Sequence, residues 1–264
     1  MSDEPFPIQT MTVDGRAVGV HTLNAASSTT QAPLPVILLH GLGCSSDAWM
    51  PTLKILAQRR LSFPIYVPDM PGFGCSPGPK KAFSIPELAD WLVRLMDTLK
   101  IPCANFAGNS LGGQVLLALA RRHPERVGRV VLVGSTIGGT GISLARYAAG
   151  LVLDGIQEPL VYTVTLTRMY AQMGLLRYIA TTKAMLEDEP LLHTEEIQVP
   201  CLVLRGARDG IIPDPIARRL AASLPNGQFR RLSGSAHAMQ FTRPLEFAEI
   251  ALSFWAGQPQ EDGA

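Results

Sequence analysis

The chain lacks an excess of either charge: 23 Lys and Arg stand against 22 Asp and Glu, for a formal net charge of +1. Without a field of one sign, nothing favours nucleic acid or an anionic membrane, and the expected ligands are neutral or mixed small molecules. Paired cysteines are also missing. Cys44, Cys75, Cys103 and Cys201 show no C-x-x-C spacing, so reduced, structurally neutral thiols in a cytosolic setting are expected. No long apolar run is present. The stretch of lowest charge, Ala17 to Met50, carries many Ser, Thr and Pro residues and suits no membrane span. The opening Met1-Ser2-Asp3-Glu4-Pro5 is acidic, without the basic and apolar regions of a secretory signal. Charged residues are scarce, at 17% against 47% hydrophobic, which excludes a disordered chain and implies a sizeable core. A length of 264 residues suits one large domain with an insertion rather than two full domains.

What is present is alternation. Gln9 to Val13 and Arg16 to His21 flank Asp14-Gly15, a hairpin with a tight turn. Residues 25–33 read as a Ser/Thr/Ala/Pro loop, and Val36-Ile37-Leu38-Leu39 as a strand covered on both faces. A helix over Pro51 to Arg59 and a strand over Ile65 to Val67 follow. Ser84-Ile85-Pro86-Glu87 forms a capping box ahead of an apolar stripe at Leu88, Trp91, Leu92, Leu95 and Leu99. Further strands are expected at Cys103 to Ala107, Val127 to Val133, Val199 to Arg205 and Phe229 to Leu232. Between and after them lie helices from Gln114 to His123, from an Asp214 cap to Leu224, and after Thr242 with Phe247, Ile250 and Phe254 on one face. Strands alternating with helices imply an α/β fold with an open, mostly parallel sheet and helices on both faces.

Residues 135–197 interrupt this pattern. They hold three helical stretches, Leu144 to Leu153, Leu160 to Met173 and Leu175 to Leu186, and no convincing strand. The expected division is a core of 1–134 and 198–264 with a helical cap of 135–197, placed over the carboxyl edge of the sheet where ligands of open α/β sheets bind. Tyr147, Leu151, Val152, Leu153, Leu160, Val161, Tyr162, Leu166, Met169, Tyr170, Met173 and Leu176 give that cap flexible apolar surface, open to core packing or to an acyl or aryl group. Arg146, Arg168 and Arg177 are read as a solvated face, with carboxylate binding as the alternative.

Gly108-Asn109-Ser110-Leu111-Gly112 joins a strand to a helix, a G-x-S-x-G turn that exposes one serine hydroxyl above the sheet. A hydroxyl at neutral pH needs a base, and the base needs an orienting acid. After Ser110 two such residues follow strands: Asp209 in Gly206-Ala207-Arg208-Asp209, and His237 in Gly234-Ser235-Ala236-His237. His21, His123 and His193 are read as surface or capping residues, Asp69 as a turn brace and Asp214 as a helix N-cap. After Val133 comes Gly134-Ser135-Thr136, which offers no carboxylate. Acyl chemistry also needs donors for an oxyanion. The backbone N–H of Leu111 is expected to supply one, and that of Leu42, in His40-Gly41-Leu42-Gly43, the other, with His40 ordering the loop.

Together, His40-Gly41-x-Gly43, Asp69-x-Pro71-Gly72-x-Gly74-x-Ser76, Gly108-Asn109-Ser110-Leu111-Gly112-Gly113, Gly206-x-x-Asp209-x-x-x-Pro213 and Gly234-x-x-His237 resemble the landmarks of the α/β-hydrolase superfamily, in its order. The resemblance implies Ser110 as nucleophile, His237 as general base and acid, Asp209 as its orienting carboxylate, and the Leu42 and Leu111 amides as oxyanion hole, with no metal or organic cofactor. The elbow is similar to that of carbon–carbon bond hydrolases of ring-fission products, which usually carry Trp after the catalytic His; here Ala238-Met239 follows. The expected activity is therefore a cytoplasmic serine carboxylesterase, cleaving small to medium hydrophobic esters through an acyl-enzyme. The alternatives are C–C hydrolysis of a diketone and a ligand-binding protein on the same scaffold. Oligomeric state stays open.

Overall fold

The computed structural model describes residues 6–24, 33–135 and 144–260. Residues 25–32 of the loop expected over 25–33, and the side chains of Arg146, Tyr147 and Val152, lie outside the described set. Eight strands form one sheet: β1 (Ile8–Val13), β2 (Arg16–Leu23), β3 (Val36–Leu39), β4 (Ile65–Pro68), β5 (Ala104–Asn109), β6 (Val127–Val133), β7 (Cys201–Gly206) and β8 (Gly227–Leu232). Their order is β1-β2-β4-β3-β5-β6-β7-β8. β2 runs antiparallel to β1 and to β4, and every other pair is parallel. The opening hairpin turns at Asp14 (φ 50°) and Gly15 (φ 72°), the two left-handed positions that a two-residue turn between twisted strands requires.

The alternation of side chains sorts the strand residues into two layers. Ile37, Leu39, Phe106, Val130, Leu132 and Val203 face one side with α2 (Ile85–Thr98), α3 (Leu111–Arg122) and α7 (Asp214–Ser223). Val36, Leu38, Ala107, Val131, Val133, Leu202 and Leu204 face the other with α1 (Met50–Ala57) and a C-terminal helix (Pro244–Trp255). Both faces are covered, as the unbroken apolar strands require. The expected capping box opens α2: Glu87 Oε2 accepts from Ser84 N at 2.7 Å, and Ser84 Oγ accepts from Glu87 N at 3.4 Å. The stripe of Leu88, Trp91, Leu92 and Leu95 is buried beneath it.

Between β6 and β7 the chain forms three helices, α4 (Leu144–Gln157), α5 (Leu160–Met173) and α6 (Leu175–Glu187). They are fastened to the sheet-bearing part at several points. Ser45 N donates to Met169 Sδ at 3.2 Å, Arg177 Nη2 to the Pro79 carbonyl at 2.6 Å, and Gln114 Nε2 to the Met185 carbonyl at 3.0 Å. Among the described residues, no helix is long and apolar enough to cross a membrane.

Two local expectations need correction. Asp214 is not the N-cap of α7; Pro213 holds that position, and Asp214 lies in the first turn, accepting from Arg218 Nε at 2.7 Å. A carboxylate there still complements the positive helix end. His21 is buried, with Nδ1 2.5 Å from the Phe6 carbonyl, because the segment ahead of β1 folds back over the hairpin. The closing helix follows Thr242 as expected, as α9 (Pro244–Trp255), and a separate turn, α8 (Met239–Thr242), precedes it. Arg243 at φ −132° leaves the helical region between them, as the residue before a proline tends to. At the far end of α9, Trp255 Nε1 donates to the Phe106 carbonyl on β5 at 3.2 Å.

The layer beneath α2 gives a direct test. Leu92 is fully buried, so Leu92→Ala is expected to cost about 2–5 kcal/mol through lost transfer energy and the cavity left behind. Urea denaturation followed by tryptophan fluorescence measures it, and a shift in midpoint close to zero contradicts the packing described.

Candidate active site

The connection from β5 to α3 is a sharp elbow. Ser110 sits at its tip with φ 53° and ψ −116°, a strained setting for a side-chain-bearing residue. The strain is held from both sides. Ser110 N donates to the Val133 carbonyl at 2.9 Å, and the Ser110 carbonyl accepts from Gly113 N at 3.0 Å. The flanking glycines are required by proximity. A Cβ on Gly108 would lie 2.5 Å from the Gly112 backbone, and one on Gly112 would lie 2.7 Å from the carbonyl oxygens of Leu39 and His40.

Asp209 and His237 follow β7 and β8 at the same edge. His237 Nδ1 is 2.9 Å from Asp209 Oδ2, and both side chains are buried. With an ionised carboxylate as acceptor, Nδ1 carries the proton, leaving Nε2 as the exchanging atom. Asp209 is itself fixed: Oδ1 accepts from Ile211 N at 2.8 Å and Ile212 N at 2.9 Å. The buried Arg205 pins the loop around it, donating to the carbonyls of Ile212 at 2.7 Å, Gly206 at 2.8 Å and Asp209 at 3.0 Å. At the end of β6, Gly134 adopts φ +49°, and a Cβ there would fall 2.9 Å from His237 Nδ1 and 3.1 Å from Asp209 Oδ2. The strand end without a carboxylate thus backs directly onto the Asp–His pair.

Ser110 and His237 line one cavity of about 120 Å³, together with Gly41, Leu42, Asn109 and Ile211. Leu42 is therefore in the wall beside Ser110, and Leu111 is the buried first residue of α3. Asn109 braces the site, with Nδ2 3.2 Å from the Val133 carbonyl and 3.3 Å from that of His237. Both nitrogens of His40 are engaged: Nε2 accepts from Met70 N at 3.0 Å and Nδ1 donates to the Gly41 carbonyl at 2.9 Å. Burial lowers its pKa, so it orders the loop as a neutral ring. Asp69 braces a turn, accepting from Ser46 N and Cys75 N, each at 2.7 Å. His123 closes α3 and pairs with Asp90 at 3.0 Å. His193 is exposed beside Glu195 and Glu196, a cluster with metal-ligand spacing that takes no part in the cavity wall.

The inserted helices complete the cavity. Leu151, Tyr162, Leu166 and Tyr170 face it, whereas Leu153, Leu160, Val161 and Leu176 point to solvent. Arg177 is spent on the Pro79 carbonyl, and Arg168 is exposed. Cys44 lines the cavity, but burial pushes its thiol up to about 12, so it is no nucleophile at neutral pH. Two carboxylates in the wall escaped the sequence reading. Asp154 Oδ1 accepts from His237 N at 3.0 Å, and Glu158 Oε1 accepts from Ala238 N at 2.9 Å. Burial raises both, Glu158 to about 7. For His237, burial acts downward, but the charges of Asp209, Asp154 and Glu158 outweigh it and hold the ring at about 9.

A family model described as alpha/beta hydrolase fold matches residues 35–160. A relative named "Putative carbamate hydrolase RutD", from Caulobacter segnis, is 30% identical over 94% of this chain and 99% of its own length. The chain belongs to the alpha/beta hydrolase family. The 2-hydroxymuconate semialdehyde hydrolase of Pseudomonas sp. strain CF600 is 28% identical over 85% of this chain and 88% of its own. Est816, a solved structure described as an N-acyl homoserine lactone degrading enzyme, superposes with a TM-score of 0.77 at 25% identity, covering 93% of this chain and 100% of its own.

Within this alpha/beta hydrolase, Arg205, Gly134, Asp154 and Glu158 were the residues that motif reading missed. A signal existed for the last two: in Asp154-Gly155-Ile156-Gln157-Glu158 two acids stand four positions apart, the spacing that puts side chains on one helix face.

The Gly134 contact generates a prediction. Gly134→Ala should displace the imidazole, so that the downfield proton resonance of His237 Nδ1–H moves or disappears. A one-dimensional proton NMR spectrum in water checks this, and an unchanged resonance in the folded variant contradicts the geometry.

Proposed function

We propose that this alpha/beta hydrolase is a serine carboxylesterase for small to medium hydrophobic esters. The observation that carries the reading is that Ser110, on its strained elbow, shares one cavity with His237, whose ring is paired to Asp209. Ser110 Oγ attacks the ester carbonyl while His237 Nε2 takes its proton; the tetrahedral intermediate collapses, and His237 returns the proton to the leaving alkoxide. Water, deprotonated by the same nitrogen, then attacks the acyl-enzyme and releases the acid and Ser110. Asp209 holds the ring in its Nδ1–H tautomer throughout. The amides of Leu42 and Leu111 are assigned to the oxyanion, where one donor is worth on the order of 10²–10³ in turnover. Residues 135–197 serve as the cap, and the cavity of about 120 Å³ supports a short acyl group. None of these steps calls on a metal or an organic cofactor.

Among the relatives, names point to carbamate hydrolysis, lactone degradation and hydrolysis of a ring-fission product. All three share attack on a carbonyl, and two observations favour the ester. The first is Ala238, where the C–C hydrolases usually carry Trp. The second is charge: another related C–C hydrolase is named for a dioate, a dicarboxylate. The cavity here presents Asp154 and Glu158, with no Lys or Arg among its described lining residues. A dianion would meet repulsion there.

The test is hydrolysis of p-nitrophenyl butyrate and labelling by a fluorophosphonate probe. Ser110→Ala is expected to abolish both while keeping the wild-type circular dichroism spectrum. Wild-type turnover by that variant rejects the nucleophile, and a wild-type protein that neither turns over nor labels supports the ligand-binding alternative. The pH profile has a definite sign. A base held at about 9 loses its proton-accepting form below that value, so kcat/KM should rise with pH up to about 9 and then level. A profile already level at pH 7 contradicts it.

A further inference from the structure

We propose that Asp154 and Glu158 are positioning residues for the catalytic histidine: the cap grips the His237 loop through two carboxylate-to-backbone hydrogen bonds and surrounds the imidazole with negative charge. The inference rests on His237 being the base. The loop between β8 and α8 has no regular structure, and Gly234 within it adopts φ +68°. His237 and Ala238 are buried, so the N–H of each needs an acceptor. Both acceptors come from the insertion, more than 75 residues earlier in the chain: Asp154 Oδ1 at 3.0 Å and Glu158 Oε1 at 2.9 Å. Asp154 Oδ1 also lies 3.5 Å from Gly210 N, beside the acid loop. One face of one helical segment thereby touches the loops of both triad partners.

The choice of acids over amides is informative. Asn and Gln would accept from the same N–H groups without placing like charges side by side in a buried site. Asp154 and Glu158, only 6% and 8% exposed, crowd each other and Asp209, which is unfavourable unless a cation compensates. Around His237 the charged or titratable groups are Asp209 from the loop after β7, and Asp154 and Glu158 from the cap. Glu158 faces Asp154, His237, Asp209 and the buried Tyr162 of α5, behind which lies Cys44. The imidazolium that forms during proton transfer is the one cation among these described groups. Charge on the cap therefore favours the protonated ring, and the hydrogen bonds fix where that ring sits.

The two effects separate by substitution. Asp154→Asn and Glu158→Gln keep an acceptor and remove charge, whereas Asp154→Ala and Glu158→Ala remove both. His237 titration is followed by NMR of ring-labelled protein, and kcat/KM for p-nitrophenyl butyrate by a pH series. In the amide variants the titration midpoint and the alkaline limb are expected to fall together by about half a unit or more, since neighbouring charges shift a pKa by that order. The rate at pH 7 then becomes a larger share of the plateau. In the alanine variants kcat is expected to drop at least about tenfold below the matching amide variant, because a misplaced base loses orientation. Unmoved midpoints in both amide variants, or alanine variants with the same kcat as the amide ones, overturn the proposal. The NMR midpoint needs no turnover. If the ester is not a substrate but the midpoint still falls, the esterase reading fails and the cap-to-histidine coupling stands.

Discussion

The contact on which the rest of the structure depends is backbone against backbone, where α3 leaves β5. The helix approaches so closely that Gly108 has no room for a Cβ against the Gly112 backbone, nor Gly112 against the Leu39 and His40 carbonyls of the neighbouring strand end, and the turn between them holds Ser110 at φ 53°. Such a setting costs of order 1–3 kcal/mol, and a buried apolar layer on each side of the sheet supplies the excess stability that holds it. Once the serine is raised at the carboxyl edge of β5, the other groups must come from the same edge. Parallel strands deliver them there: Leu42 after β3, Gly134 after β6, Asp209 after β7 and His237 after β8.

Electrostatically the site is lopsided. One imidazole is ringed by three carboxylates, one from the acid loop and two from the insertion. Each carboxylate is tied to backbone N–H groups, Asp209 to Ile211 and Ile212, Asp154 to His237, and Glu158 to Ala238. Hydrogen bonds to peptide donors make buried negative charge tolerable, and they also make it rigid. The basicity of the ring and the placement of the loops are thus set by the same few contacts.

Much of this was legible in the chain. The unbroken apolar run of Val36 to Leu39, the capping box at Ser84 and the glycine-flanked serine are local signals whose physics is short-range, and the fold and elbow follow from them. Asp209 and His237 could be found because each trails a strand in the right order. What stayed hidden depends on tertiary approach. Arg205 reads as an unwelcome charge inside an apolar strand until its guanidinium is seen to collect four backbone carbonyls at and beyond the strand end. Gly134 reads as a strand terminator until His237 is seen against it. Asp214 looked like a cap by residue type, but the chain enters α7 at Pro213. Asp154 and Glu158 share a helix face by spacing alone, yet nothing local says that the face meets a histidine loop 80 residues later.

The bond from the Trp255 indole to the Phe106 carbonyl closes the molecule across 149 residues of sequence. It places α9 against the strand that leads into Ser110. Long-range closure of this kind slows folding, because loop entropy is lost before the contact repays it. During synthesis the elbow strand emerges well before the helix that covers it. Until that helix arrives, the Phe106 carbonyl lacks its indole partner and one face of the elbow strand stays uncovered, so the strand that turns into Ser110 gains its full support only late in folding.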